Sequence, residues 1–281
     1  MGDGPLEHNQ ASHGIPSPQI GQDGEDLRHR TAGHAVIERL LQEQAGVPAT
    51  SFFGQVFGAS PLGADSLSWY RGAVGEIAIG RILERLGPDW TVLHAVPVGA
   101  GASDIDHVLI GPPGVFTLNT KNHTGQAVWV AGRTLMVAGQ KQRHLYNAAH
   151  EASRAAALLT RIVGNPVPVT GVVVILSPKS LTVKAKPEGA AVVTDTRLLA
   201  WIRHQPVILT PGQIRMIADA AAQPRTWHRN PPTVTAPDRL RREFASLRAA
   251  VNKARARRIG WFLALVIALP LIVTTLSRHF P

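Results

Sequence analysis

The spacing of apolar residues changes several times along this chain, and each change predicts an element. In "GAVGEIAIGRILERLG" the apolar positions recur at helical spacing and run into Gly87-Pro88, so a helix should end there. "WTVLHAVPV" reads as a strand by its β-branched content. The runs "IDHVLI" and "VFTLNTK" predict a hairpin joined by Gly111-Pro112-Pro113-Gly114, and "AVWVAGRTLMVAG" a second one turning at Ala131-Gly132-Arg133. "LYNAAHEASRAAALLTRIVG" is a long helix stopped by Gly164. The unbroken "VTGVVVILS" fits a strand covered on both faces. A short strand "AAVVT" and a helix "DTRLLAWIRHQ" follow. This order predicts an α/β body with a mixed sheet flanked by helices.

The ends of the chain read differently. Residues 1–68 are expected to be largely disordered, with one amphipathic helix near "HAVIERLLQEQAG" and a linker after it. The first residues lack the basic start and apolar run of a signal peptide. The α/β body is expected over residues 69–228, a basic segment over 229–258, and an apolar helix over 259–276. That last run, "IGWFLALVIALPLIVTTL", carries no charge and would reach about 27 Å, close to a hydrocarbon core. Trp261 would sit near one interface.

Charge sharpens this division. The net charge is +10, yet from Arg225 onward there are eleven Lys/Arg against two Asp/Glu, so the body is nearly neutral. Lys253, Arg255, Arg257 and Arg258 precede the apolar run and Arg278 alone follows it. The positive-inside rule therefore predicts a single-pass protein of the cell membrane, its soluble domain facing the cytoplasm. In the basic segment Leu240, Phe244, Leu247, Val251 and Ala254 form one stripe, suited either to anionic headgroups or to packing on the body. There are no cysteines, which excludes disulfides and thiolate chemistry.

The first hairpin carries the candidate chemistry. With Ile110 opposite Val115, continued pairing would set Asp106 against Asn119 and Asp104 against Lys121, all on one face. Carboxylates, an amide and an ammonium so gathered suit phosphodiester hydrolysis: the acids can hold a divalent cation, and the lysine can orient water or stabilise developing charge. Glu76, from the preceding helix, could complete the metal shell. An ordinary cross-strand Asp–Lys pair would leave the same pattern. His107 falls on the opposite face and is expected to be packed. His123 could touch phosphate, Trp129 could stack a base, and Lys141, Gln142 and Arg143 could line a substrate edge. Solvated or packed roles are the more ordinary account of these residues.

The "GxxGE" helix, "WTVLHAVPV" and "DIDHVLIGPPGVFTLNTKNHTG" together resemble the nuclease-related domain (NERD) family of the PD-(D/E)xK restriction-endonuclease-like superfamily. The likeness spans roughly residues 69–201. It implies a restriction-endonuclease-like fold, Mg²⁺ or Mn²⁺ as cofactor and nucleic acid, DNA or RNA, as partner. By the same resemblance Glu76, Asp106 and Asn119 would be metal ligands, and Lys121, Asp106 and Glu76 the catalytic set. Asn119 stands where the family usually has its second carboxylate, and Glu151 is nearest to a Gln that many members carry on the next helix. Two functions remain open: a membrane-anchored metal-dependent nuclease, or a catalytically inactive descendant acting as a membrane-tethered nucleic-acid-binding or scaffold module.

Overall fold

The computed structural model describes residues 26–99, 103–230 and 236–279, with side chains described up to Pro270 and at Val273. In chain order the elements are α1 (His34–Ala45), α2 (Phe52–Phe57), α3 (Ser66–Leu83), β1 (Thr91–Pro97), β2 (Asp104–Gly111), β3 (Gly114–Asn122), β4 (Ala127–Ala131), β5 (Thr134–Val137), β6 (Gln140–Gln142), α4 (His144–Val163), β7 (Val169–Leu176), β8 (Ser180–Val183), β9 (Ala191–Thr194), α5 (Leu198–Arg203), α6 (Pro211–Ala222), α7 (Pro224–Trp227) and α8 (Pro237–His279).

The main sheet has the order β1-β2-β3-β7-β9. Its first three strands run antiparallel, and β3, β7 and β9 run parallel, so the expected mixed sheet flanked by helices is present. The second hairpin does not extend this sheet. Instead β4 and β5 build a separate sheet of order β6-β5-β4-β8, because β4 pairs in parallel with β8. Gly125, in the left-handed region at φ +75°, turns the chain between the two sheets while its N–H donates to Ser177 O at 3.0 Å.

Alternation along β7 explains its unbroken apolar run. Val172 and Val174 pack with Ile79 and Leu83 of α3 and Leu198 and Ile202 of α5. Val173 and Ile175 face the other way, with Leu145 and Ala148 of α4 and the second sheet. Full burial of each such side chain stabilises by about 1.5–3 kcal/mol. Gly171 lets α4 approach closely, since a Cβ there would come within 2.5 Å of Ala148 O. That approach matters below, because α4 carries Glu151.

The amino-terminal region docks on this body. Ile37 and Leu40 of α1, Ala73 of α3, and Leu240 and Phe244 of α8 share one buried cluster, with Leu247 packed against it. The apolar stripe of the basic segment therefore packs on the body, while Arg239, Arg241, Arg242, Arg255 and Arg258 stay exposed. The helix α8 continues through the uncharged run of residues 259–276, whose side chains from Ile259 to Leu269 are largely exposed. Among the described residues no helix is long and apolar enough to cross a membrane. Apart from Val273, the second half of the expected span, residues 271–276, lies outside the described side chains.

His107 is fully buried, as its place on β2 predicted, and its Nδ1 lies 2.8 Å from Nδ1 of His94 on β1. One of these nitrogens must accept, so the pair holds together only while at least one ring is neutral. Burial lowers His94 to about 4, and burial together with the neighbouring ring lowers His107 well below its usual value. Both groups bind protons more readily when unfolded, so stability is lost as pH falls from about 6.5 toward 4. The proton uptake that accompanies unfolding steepens this loss across the window. Thermal melts of the parent and of His94→Leu/His107→Leu between pH 7 and 4.5 should show the parent losing its midpoint more steeply. Parallel curves would mean that the pair does not titrate on unfolding.

Candidate active site

The β2–β3 ladder pairs Gly111 with Gly114 and Ile110 with Val115, and ends at His107 opposite Leu118. Beyond it the strands part. β2 continues pairing with β1 as far as Asp104, and β3 with β7 as far as Asn122. The fork leaves the Thr120 N–H without a strand partner, and the Asp106 carboxylate accepts its hydrogen bond at 2.5 Å. The sequence register was thus right for the hairpin but does not continue to Asp106–Asn119 and Asp104–Lys121, because a side chain replaces the backbone acceptor there.

A cavity of about 1040 Å³ opens at this fork. Glu76 from α3, Asp104 and Asp106 from β2, and Lys121 from β3 all line it. Asn119 does not; its Nδ2 donates to Glu151 Oε1 of α4 at 2.7 Å. The expected set is therefore split, with Glu76, Asp104, Asp106 and Lys121 lining the cavity and Asn119 bonded to α4 instead.

Electrostatics show how crowded the acids are. Glu76 is pushed well up by burial and then by Asp106 and Asp104; Lys121 and the backbone N–H of Gly33 act in the opposite sense. Asp104 is raised to about 7, first by burial and then by Asp106. Asp106 is also raised by burial, against Lys121 and the Thr120 amide. Glu151 is raised by burial and by Asp106, while Asn119 and Lys121 lower it. Four carboxylates thus share a low-dielectric neighbourhood in which Lys121 opposes the shifts of Glu76, Asp106 and Glu151, and Arg30 that of Asp104.

Glu76 Oε2, Asp104 Oδ2, Asn119 Oδ1 and Glu151 Oε2 are buried acceptors with no hydrogen-bond partner. Orphaned oxygens of this kind are what a hard cation takes. Among the described residues no group of three or more His, Asp or Glu is arranged to hold a metal as it stands. Mg²⁺ asks for less, commonly one or two carboxylates plus water and substrate oxygens. The donor chemistry of Glu76 and Asp106 fits it.

Sequence reasoning missed the walls of the cavity. Arg30, His34 and Arg39 come from the amino-terminal segment, Trp69 from the start of α3, and His228 and Asn230 from the stretch after α7. The Arg30 Nη1 donates to Ala95 O at 2.7 Å, and Arg39 lies over the Trp69 ring at 5.8 Å. No periodicity reports such tertiary docking; the buried Arg30 in "LRHRTAGH" has no local sequence signature. The weaker candidates stay outside the cavity. His123 is engaged by His144 at 3.0 Å and by Gln126, Trp129 is half-buried on the second sheet, and Arg143 lies over Tyr146.

Residues 71–176 match the family model described as the nuclease-related domain. An uncharacterized protein of Bacillus anthracis is 39% identical over 67 residues, covering 22% of this chain and 30% of that protein, so the chain spans about a third of its length. No solved structure matches the chain.

Proposed function

We propose that this chain, whose residues 71–176 are a nuclease-related domain of the restriction-endonuclease-like superfamily, is a membrane-anchored, metal-dependent nuclease hydrolysing phosphodiester bonds of nucleic acid. The observation that carries the reading is the crowding of Glu76, Asp104 and Asp106 beside Lys121 in one cavity, with acceptor oxygens left unpaired. In its ionised form such a cluster is costly unless a cation joins it.

Glu76 and Asp106 would hold Mg²⁺ or Mn²⁺, with Asp104 beside them. The bound cation would polarise the scissile phosphate and make its water more acidic. Lys121 faces the same space and would orient the attacking water or meet the charge developing on phosphorus-bound oxygen. Asp106 is fixed for its part by the Thr120 amide. The Asn119–Glu151 pair links β3 to α4, with an amide on β3 where the family usually has its second carboxylate and, on α4, a carboxylate as the residue nearest to the amide that many members carry. An exchange of acid and amide between the two positions would keep the charge of the pair. Arg30 and Arg39 also line the cavity, with Glu38 beside them and Arg39 paired with Glu43, so a phosphate would depend on the bound cation and Lys121 more than on a basic wall.

Membrane attachment rests on the uncharged run of residues 259–276, continuous with α8, and on the four basic residues before it. Because α8 also packs on the body, the cavity-bearing domain would be held close to the cytoplasmic surface.

The test is cleavage of single- and double-stranded DNA and RNA by the full chain in detergent. Activity should appear with Mg²⁺ or Mn²⁺ and disappear with EDTA. Nucleic acid bound without cleavage in either metal would replace this reading with the inactive binding module, for which the missing carboxylate at Asn119 is the motive.

A further inference from the structure

The six residues of α2, "FFGQVF", are the least expected part of the surface. Ser51 caps the helix by accepting the Gly54 N–H at 3.2 Å, and Gly58 ends it in the left-handed region. Yet no residue of α2 is buried, and Phe52, Phe53 and Phe57 are 74%, 72% and 56% exposed. Three adjacent phenylalanines facing solvent on one short helix mark an interaction surface.

Its position on α8 says with what. The indole Nε1 of Trp261 donates to Val56 O at 2.9 Å, and Arg257 Nη1 donates to Gln55 O at 2.6 Å. The Phe57 and Trp261 rings lie 5.2 Å apart. Gly58 sits against the backbone of Ala254 and Arg258, too close for any Cβ. So α2 is clasped to α8 at the boundary where the basic residues Lys253, Arg255, Arg257 and Arg258 give way to the apolar run. Trp261 and Phe262, themselves exposed, continue the aromatic patch into that run.

We propose that α2 is a second membrane contact, an aromatic wedge whose Phe52, Phe53 and Phe57 enter the interfacial layer of an anionic lipid surface beside the start of the apolar run. This rests on the membrane attachment of α8 proposed above. Aromatic rings are favoured at the headgroup level, and nearby Lys and Arg side chains are drawn to anionic lipid. Two attachment points would restrain how the domain tilts on the bilayer, with α1 and its cavity wall tied to the same helix.

The absence of native cysteines makes the test direct. Phe53→Cys, Leu269→Cys and Val207→Cys, each in the full chain, are labelled with one environment-sensitive fluorophore and reconstituted into phosphatidylcholine–phosphatidylglycerol vesicles. Nitroxide lipids carry the quencher either near the headgroups or deep in the acyl chains. Leu269 lies about 15 Å along the helix from Ile259, near the midplane of a roughly 30 Å core. The expected result is loss of Phe53-site fluorescence mainly to the shallow nitroxide, loss at Leu269 mainly to the deep one, and none at Val207. Quenching at Leu269 without quenching at Phe53 would overturn the wedge and leave the anchor standing, with a protein partner as the occupant of the patch. No quenching at Leu269 would overturn the anchor and the wedge together.

Discussion

Lys121→Ala and Asp106→Ala should each lower metal-dependent cleavage by about 10²–10³-fold, the loss typical of removing one group that stabilises transition-state charge or orients its reactant. Both residues face the cavity, and neither contributes to the buried apolar clusters, so a far-ultraviolet spectrum should hardly change. Glu151 is the more discriminating position. Its carboxylate accepts the Asn119 amide at 2.7 Å and is coupled electrostatically to Asp106 and Asp104. Removing such a supporting partner commonly costs 10–100-fold, so Glu151→Gln should lower activity by about that factor. If acid and amide have simply exchanged places, Asn119→Glu added to Glu151→Gln should recover most of the loss. Asn119→Glu alone would set two carboxylates against each other at hydrogen-bonding distance and should lower the thermal midpoint of the metal-free protein. A Glu151→Gln protein as active as the parent would sink the exchange, and Asn119 would then be a bare loss of one ligand.

How far the sequence anticipated this site depends on how local each relationship is. The β2–β3 hairpin is set by adjacent residues, and its register is as read, from Gly111–Gly114 to His107–Leu118. Glu76 could be placed on a helix because the apolar spacing around it in α3 is local. The fork beyond His107 was not readable, because it depends on β1 and β7 drawing the two strands apart and on Asp106 satisfying Thr120. The Asn119–Glu151 bond links residues 32 positions apart through the close approach of α4 at Gly171, which no motif encodes. The second sheet was missed for a similar reason: β4 and β5 read correctly as a hairpin, but their parallel partner β8 arrives only after β7. The stripe on α8 was legible as apolar. Its partner was not, because a stripe that packs on protein and one that lies on lipid have the same periodicity.

The crowding of the acids also predicts how the protein responds to pH and to metal. Asp104 sits at about 7 in the folded state against 3.8 for an ordinary Asp, and Glu76, Asp106 and Glu151 are shifted in the same direction. Between those limits the folded protein keeps protons that the unfolded chain has lost. The cluster's contribution to stability is therefore full below about pH 4 and falls as pH rises toward 7 and beyond. A divalent cation must displace those protons, so its stabilising effect should be small at pH 5.5 and large at pH 8. At a hundredfold excess over its dissociation constant a ligand contributes about 2.7 kcal/mol, or roughly 5–10 °C for a domain of this size. Thermal melts with and without saturating Mn²⁺ at both pH values isolate the effect, since the His94–His107 titration is common to both arms and cancels. Asp106→Asn should abolish most of the metal-induced shift at pH 8, whereas His94→Leu/His107→Leu should leave it in place. A shift equal at the two pH values would show that the cation binds somewhere other than these carboxylates. That outcome would remove the electrostatic reason for placing it at Glu76 and Asp106.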